Sequence, residues 1–269
     1  MPTALLPLAM VALAMSALMP LFASAFSIEE SSQPCKGAPT LPPIAPTTKR
    51  LFLVRHGEVV NPGGDKPVYY GAMDVPLSPL GEAEARAAAE YLRQFQLHRV
   101  ATSPLSRAIF GAAEVQATQR HLPGEEGSPS SRLMIHEGFK EMDRGEWCGL
   151  TLDEIGSDRM RRFDACDASV TPANGESYPR TRERVLRARD ELLDVTDPGC
   201  ASVLVSHLQV TRCIISDAEG LRTDEISKLK VATASITCID YCGETGQQTI
   251  HIQSFKPDAG LAKAKDMAN

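Results

Sequence analysis

From residue 49 onward, short apolar runs alternate with longer amphipathic segments. Leu51-Phe-Leu-Val54 is an apolar run bounded by polar residues, the pattern of a buried strand over 50–54. Ser78-Pro79 reads as a helix start, because serine caps well and proline suits the first helical position. A helix over 80–96 follows, then a strand over 99–102 and a second helix over 105–120. Residues 131–141 read as extended and 152–163 as helical. A long charged helix is expected over 177–195, with Val185, Leu186, Leu192 and Leu193 on its apolar side. The most apolar strand, 201–206, is followed by a helix over 208–216. Two further strands, 233–241 and 248–255, flank Gly243-Glu-Thr-Gly246, a hairpin pattern. Strands alternating with helices predict an α/β fold, a three-layer α/β/α sandwich with a mostly parallel central sheet. Sites in such folds form in loops at the carboxyl ends of the strands.

The first 48 residues break this pattern. Residues 1–26 contain no Asp, Glu, Lys, Arg or His, and an apolar run there ends in Ala23-Ser24-Ala25. That reads as a signal or targeting segment that enters the secretory pathway, with no stable membrane association after cleavage. An uncleaved membrane anchor is the alternative, opposed by Pro7, Pro20 and the small-residue end. The junction Ala23-Ser24-Ala25-Phe26 also resembles the cleavage site of plastid presequences. Residues 27–48, with Pro39, Pro42, Pro43 and Pro46, read as a linker. The folded domain is expected over 49–269.

Composition changes the picture in three places. A chain of 269 residues, 43% hydrophobic and 23% charged, supports one main domain. A net charge of -6 argues against a nucleic-acid partner, which calls for a basic face. The seven cysteines include no C-x-x-C pair, and Cys238-x-x-x-Cys242 lacks a second ligand pair, so no metal site is expected.

The candidate chemistry sits at strand ends. Arg55 and His56 directly follow the first strand, Arg107 follows the second just inside a helix, and His207 ends the late strand. Guanidinium forks bind phosphoryl oxygens bidentately, and an imidazole can act as nucleophile or donor. Taken singly, each of these residues is more ordinary. An isolated Arg-His-Gly is commonly a surface turn, and Arg107 could merely pair with Glu114. His98, His121, His136 and His251 read as surface or satisfied residues, and Trp147 as an apolar anchor. Arg159-Met-Arg-Arg162 and the charged run 180–189 read as solvent-facing helix surface.

Taken together, the motifs resemble one family. Arg55-His56-Gly57-Glu58 is similar to the signature of the histidine phosphatase superfamily, branch 1, the phosphoglycerate-mutase-like group. The likeness continues through Tyr70-Gly71, Asp74-Val-Pro-Leu-Ser78 and Ser103-Pro-Leu-Ser-Arg107. Glu141-Met-Asp-Arg-Gly-Glu-Trp-Cys-Gly149, Asn174-Gly-Glu-Ser177 and Val205-Ser-His207 complete it, in the family's order over about 200 residues. The resemblance implies a phosphoglycerate-mutase-like fold and a small phosphorylated substrate, without a cofactor or metal. It implies that His56 is the nucleophile, that Arg55 and Arg107 clamp the phosphoryl group, and that His207 donates to it. Glu141 becomes the proton donor to the leaving group. Gly57, Asn61, Tyr70, Gly71 and Leu208 become substrate-binding candidates.

Departures and alternatives accompany that reading. Many relatives place Asn six residues after the nucleophilic His; here Pro62 stands there and Asn61 precedes it. Leu208-Gln209 replaces the usual small residues after the second His, and Leu208 stands where the acid-phosphatase branch carries Asp. The chain reads as a metal-independent phosphomonoester hydrolase. A mutase of the phosphoglycerate type is the first alternative, disfavoured by the short segment between Gly149 and Asn174. A catalytically silent binding module of the same fold is the second.

Overall fold

The structure, a computed structural model, describes residues 38–119 and 133–257. The expected targeting segment, the first part of the expected linker and His121 lie outside the described residues. Six strands form one sheet: β1 (Thr48–Arg55), β2 (Leu97–Thr102), β3 (Leu133–Ile135), β4 (Ala201–Ser206), β5 (Ile236–Cys242) and β6 (Gln248–Phe255), in the order β3-β2-β4-β1-β5-β6. The pairs β3–β2, β2–β4 and β4–β1 are parallel, while β5 and β6 add an antiparallel edge.

Side chains along β1 alternate between the two faces, and each face meets helices. Phe52 and Val54 pack with Ala88, Ala89 and Leu92 of α1 (Pro79–Leu92) and Ala108, Ala112 and Val115 of α2 (Ser106–Gln119). Leu51 and Leu53 pack on the opposite core, which contains Val185 and Leu192 of α5 (Tyr178–Asp194) and Val210 and Ile214 of α6 (Leu208–Ala218). The result is the expected three-layer sandwich. It is a phosphoglycerate-mutase-like α/β fold with helices on both sides of the sheet.

Four expectations shift. The first helix ends at Leu92 rather than near 96, because Phe95 packs on Phe52 at 4.8 Å and Leu97 already pairs with Ala201 in the sheet. The helix expected over 152–163 is two, α3 (Leu152–Ile155) and α4 (Ser157–Asp164), broken at Gly156 with φ +92°. Only Leu133–Ile135 of the expected extended stretch is strand, and a single 3-10 turn, Glu137–Phe139, follows it. The strand expected from 233 starts at Ile236, after Ala234 turns at φ +50°. The hairpin at Gly243–Gly246 forms as expected: the Gly246 amide donates to the Cys242 carbonyl at 2.9 Å.

The described part of the expected linker is not free chain. Ala38, Leu41 and Ile44 are partly buried against the core on the α1–α2 face. The Thr48 amide donates to the Ala45 carbonyl at 2.9 Å, so packing begins upstream of residue 49. Among the described residues, no helix is long and apolar enough to cross a membrane.

Candidate active site

The parallel register brings three strand ends together. Arg55 of β1 lies opposite Ser206 of β4, and Thr102 of β2 lies opposite Val205. The next residue on each strand is therefore His56, His207 and Ser103. The two imidazoles sit 5.2 Å apart between centroids, and both are buried. Arg107 enters from the first turn of α2 and is 1% exposed.

Hydrogen bonds define what each imidazole can do. Nδ1 of His56 lies 2.7 Å from the Gly57 carbonyl, which can only accept, so Nδ1 holds the proton. Nε2 then carries the free lone pair, and it is buried without a partner. Nε2 of His207 lies 2.7 Å from Ser103 Oγ, which also accepts from the Leu105 amide at 3.3 Å. A hydroxyl accepts and donates at once, so Ser103 Oγ can give its own proton to Nε2 of His207 while holding the Leu105 amide. In that tautomer the ring hydrogen sits on Nδ1 of His207, which is buried and unpartnered. Burial, then Arg107 and Arg55, holds His56 well below the ordinary 6.5. Burial, Arg107, His56 and Arg55 do the same to His207. Two neutral imidazoles thus stand beside two guanidiniums.

The arginines are held by carbonyl groups rather than carboxylates. Arg107 donates to the carbonyl oxygens of Met73 at 2.7 Å and Gly71 at 2.8 Å, and its guanidinium lies 5.3 Å from the Tyr70 ring centre. Arg55 donates to the Val231 carbonyl at 2.6 Å. The Nε atoms of both are buried and unpartnered. Pairing of Arg107 with Glu114 is overturned, since Glu114 pairs with Arg86 at 3.3 Å. Positive charge is thereby kept available for an anion. Glu141 is 1% exposed; its Oε1 accepts from the Met142 amide at 2.7 Å and its Oε2 from the Gln209 amide at 3.3 Å. The second contact ties the acid to the start of α6, directly after His207.

The substrate-binding candidates divide. Leu208 is buried and lines a cavity with Arg55. Tyr70 and Gly71 serve Arg107, as described. Gly71 has φ +40°, and a Cβ there would stand 2.6 Å from the Met142 carbonyl oxygen. Gly57 lets its loop lie on α1: a Cβ there would stand 2.1 Å from the Gly81 carbonyl oxygen. Asn61 departs from the expectation. Both hydrogens of its amide go to its own loop, to the carbonyls of Gly64 at 2.7 Å and Lys66 at 2.6 Å. The longer loop consumes the donors that a phosphate ligand would need.

A sequence profile of the histidine phosphatase superfamily (branch 1) matches residues 51–252. The chain belongs to that superfamily. It is 28% identical over 229 residues to a bifunctional protein of Mycobacterium tuberculosis, covering 81% of this chain and 59% of that one. The chain thus spans 59% of the length of that relative. It is 30% identical over 194 residues to a phosphoglycerate mutase of Schizosaccharomyces pombe, covering 68% and 85% of the two chains. Identity is 31% over 184 residues to a glucosyl-3-phosphoglycerate phosphatase of Mycolicibacterium vanbaalenii, covering 65% and 76%. Among solved structures, mycobacterial hydrolase 2 shares the fold with a TM-score of 0.65 at 22% identity, covering 79% of this chain and 93% of that one. The superfamily relatives are thus phosphatases and mutases.

Several supports of this histidine phosphatase site escape motif reading. Ser103, the hydrogen-bond partner of His207 Nε2, lies 104 positions away in sequence. Glu84 is 1% exposed; it accepts from the Glu58 amide at 2.8 Å and from Thr233 at 3.2 Å, and pairs with Lys256. It anchors the loop after His56. Arg184 joins Glu176 through two hydrogen bonds, at 2.9 and 2.6 Å, and donates to the carbonyls of Gly138 and Lys140. Those bonds hold the segment that carries Glu141, so the charged helix is not simply solvent-facing. Arg189 is buried as well, paired with Asp217 at 2.6 Å. By contrast, Arg159, Arg161 and Arg162 do lie on a solvated surface, paired with Glu146, Asp158 and Asp167. His98, His136 and His251 each pair with a carboxylate.

Proposed function

We propose that this chain is a metal-independent phosphomonoester hydrolase working through a phosphohistidine at His56. The observation that carries the reading is the buried, unpartnered Nε2 of His56 beside Arg55, Arg107 and His207. Nε2 attacks phosphorus, the ester P–O bond breaks, and Glu141 gives the departing alkoxide its proton. Water, deprotonated by Glu141, then attacks the phosphorus and releases His56 and phosphate. Arg55, Arg107 and Nδ1–H of His207 stabilise charge on the phosphoryl oxygens throughout.

Hydrolysis is favoured over phosphoryl return for a local reason. The short segment between Gly149 and Asn174 pairs Arg159, Arg161 and Arg162 with neighbouring carboxylates, so this segment supplies no unpaired arginine to hold a mutase substrate for a second transfer. Rapid quench with labelled aryl phosphate is expected to leave acid-labile, base-stable label on His56. Label on Ser, Cys or Asp would sink the mechanism. With 3-phosphoglycerate and a bisphosphoglycerate primer, release of phosphate without the 2-phosphate isomer is the expected result.

A further inference from the structure

A second cavity, of about 570 Å³, adjoins the reaction centre through Arg55, Leu208 and Gln209. Its size suits a small ligand. Its charge is one-sided: Arg55, Arg144, Arg212 and Lys230 line it against the single carboxylate of Asp164. Desolvation raises the Asp164 pKa, against the opposing charges of Arg144 and Arg212. Arg212 donates through Nε to the Leu229 carbonyl at 2.7 Å, and neither Arg212 nor Lys230 pairs with a carboxylate among the described residues. Burial lowers the Arg212 pKa and the charge of Arg55 lowers it further, while Tyr178, Glu141 and Asp164 act in the opposite sense, so Arg212 shares one region of space with Arg55 and these groups. Gln209 is 1% exposed, and both polar atoms of its side chain lack a partner. Buried amide groups in this condition are costly unless water or a ligand meets them.

The cavity beside Glu141 differs. It holds about 860 Å³, and carboxylates there outnumber the basic side chains. The Arg55 side has the larger excess of positive charge of the two.

We infer that this cavity receives a second anionic group, a carboxylate or a phosphate, on the same molecule whose phosphoryl group meets His56. The inference rests on the phosphomonoesterase reading above and narrows its substrates to esters with an anionic tail. Arg55 belongs to both places: it faces the phosphoryl group and borders the cavity. Arg212 and Lys230 give the tail its charge contacts, and the Gln209 amide adds a neutral donor.

Two matched pairs of probes test it. In the aryl pair, 4-carboxyphenyl phosphate and 4-carbamoylphenyl phosphate differ in charge but hardly in shape. In the sugar pair, glucose 1,6-bisphosphate and glucose 6-phosphate differ by one phosphate. Binding is read by calorimetry on the full chain carrying His56→Ala, which cannot form the phosphoenzyme. The kcat/KM ratio of each pair is read on the protein with His56 intact. The charged member of at least one pair should win by about 10- to 100-fold, the effect of one charge-assisted hydrogen bond. Arg212→Gln should remove most of that ratio and Lys230→Ala part of it. Preference in the aryl pair alone assigns a carboxylate, and in the sugar pair alone a phosphate. Equal binding within both pairs, or a preference that survives both substitutions, overturns the inference. Absence of turnover and of phosphohistidine, with the binding preference intact, would instead overturn the hydrolase reading alone.

Discussion

At the scale of single residues, the site depends on keeping two buried histidines neutral. Both have pKa values held below the ordinary 6.5. Between that lowered value and 6.5 the unfolded chain binds more protons than the folded one. Stability therefore rises with pH across this window and falls as pH drops below 6.5. Each histidine contributes a slope of up to about 1.4 kcal/mol per pH unit there. Urea unfolding between pH 5 and pH 7, at about half-unit steps, should show this slope reduced in His207→Gln. An unchanged slope would mean that His207 is not buried in neutral form. In the proposed mechanism the guanidinium of Arg107 holds the transferring phosphoryl group. Arg107→Ala should cost about 10²–10³ in turnover. Arg107→Lys should recover only part, because the ammonium lacks the planar fork that the Gly71 and Met73 carbonyls orient. Steady-state kinetics at saturating substrate, on protein of unchanged melting temperature, reads this.

At the scale of elements, the start of α1 and the loop after His56 form one unit. Ser78 Oγ accepts from the Gly81 amide at 3.0 Å and donates to Glu58 Oε1 at 2.8 Å. A Cβ on Gly81 would stand 1.9 Å from the Glu58 carbonyl oxygen. In an ordinary helix, replacing glycine by alanine gains about 1 kcal/mol. Here the sign reverses, because backbone must move against backbone. Gly81→Ala should lower the melting temperature and cut turnover by about 10²-fold, the effect of displacing a catalytic loop by about 1 Å. Ser78→Ala is the milder change, costing about 1 kcal/mol of capping. Calorimetry and kinetics on the two variants give that order if the loop rests on α1.

At the scale of the whole molecule, catalysis and the amino-terminal extension lie at opposite ends of β1. Arg55 ends the strand at the site, while Thr48 opens it where the extension packs. A chain that starts at residue 49 loses the contacts of Leu41 and Ile44. Partial burial of two aliphatic side chains contributes about 2 kcal/mol, or about 4–8 °C in melting temperature for a protein of this size. A chain starting at residue 38 should melt higher than one starting at residue 49 by that amount, and both should turn over aryl phosphate at the same rate at 25 °C. Equal melting of the two shortened chains would show that the extension adds nothing to the domain.

Much of this was legible in the sequence because it depends on neighbours along the chain. Apolar runs place β1 and β4, a serine and a proline start α1, and Arg55, His56 and His207 follow strands directly. Parallel packing of such strands then forces their carboxyl ends to one edge. What remained illegible depends on partners distant in the chain. Ser103 hydrogen-bonds Nε2 of His207, Glu84 anchors the loop after His56 from α1, and Arg184 holds the segment carrying Glu141. Asn61 shows the converse: its residue type suits a phosphate ligand, yet its loop takes both amide hydrogens. A residue's type limits which hydrogen bonds it can make. Burial and approach across the fold decide which of them it does make, and here that decision leaves one ring nitrogen of His56 and one of His207 without a partner.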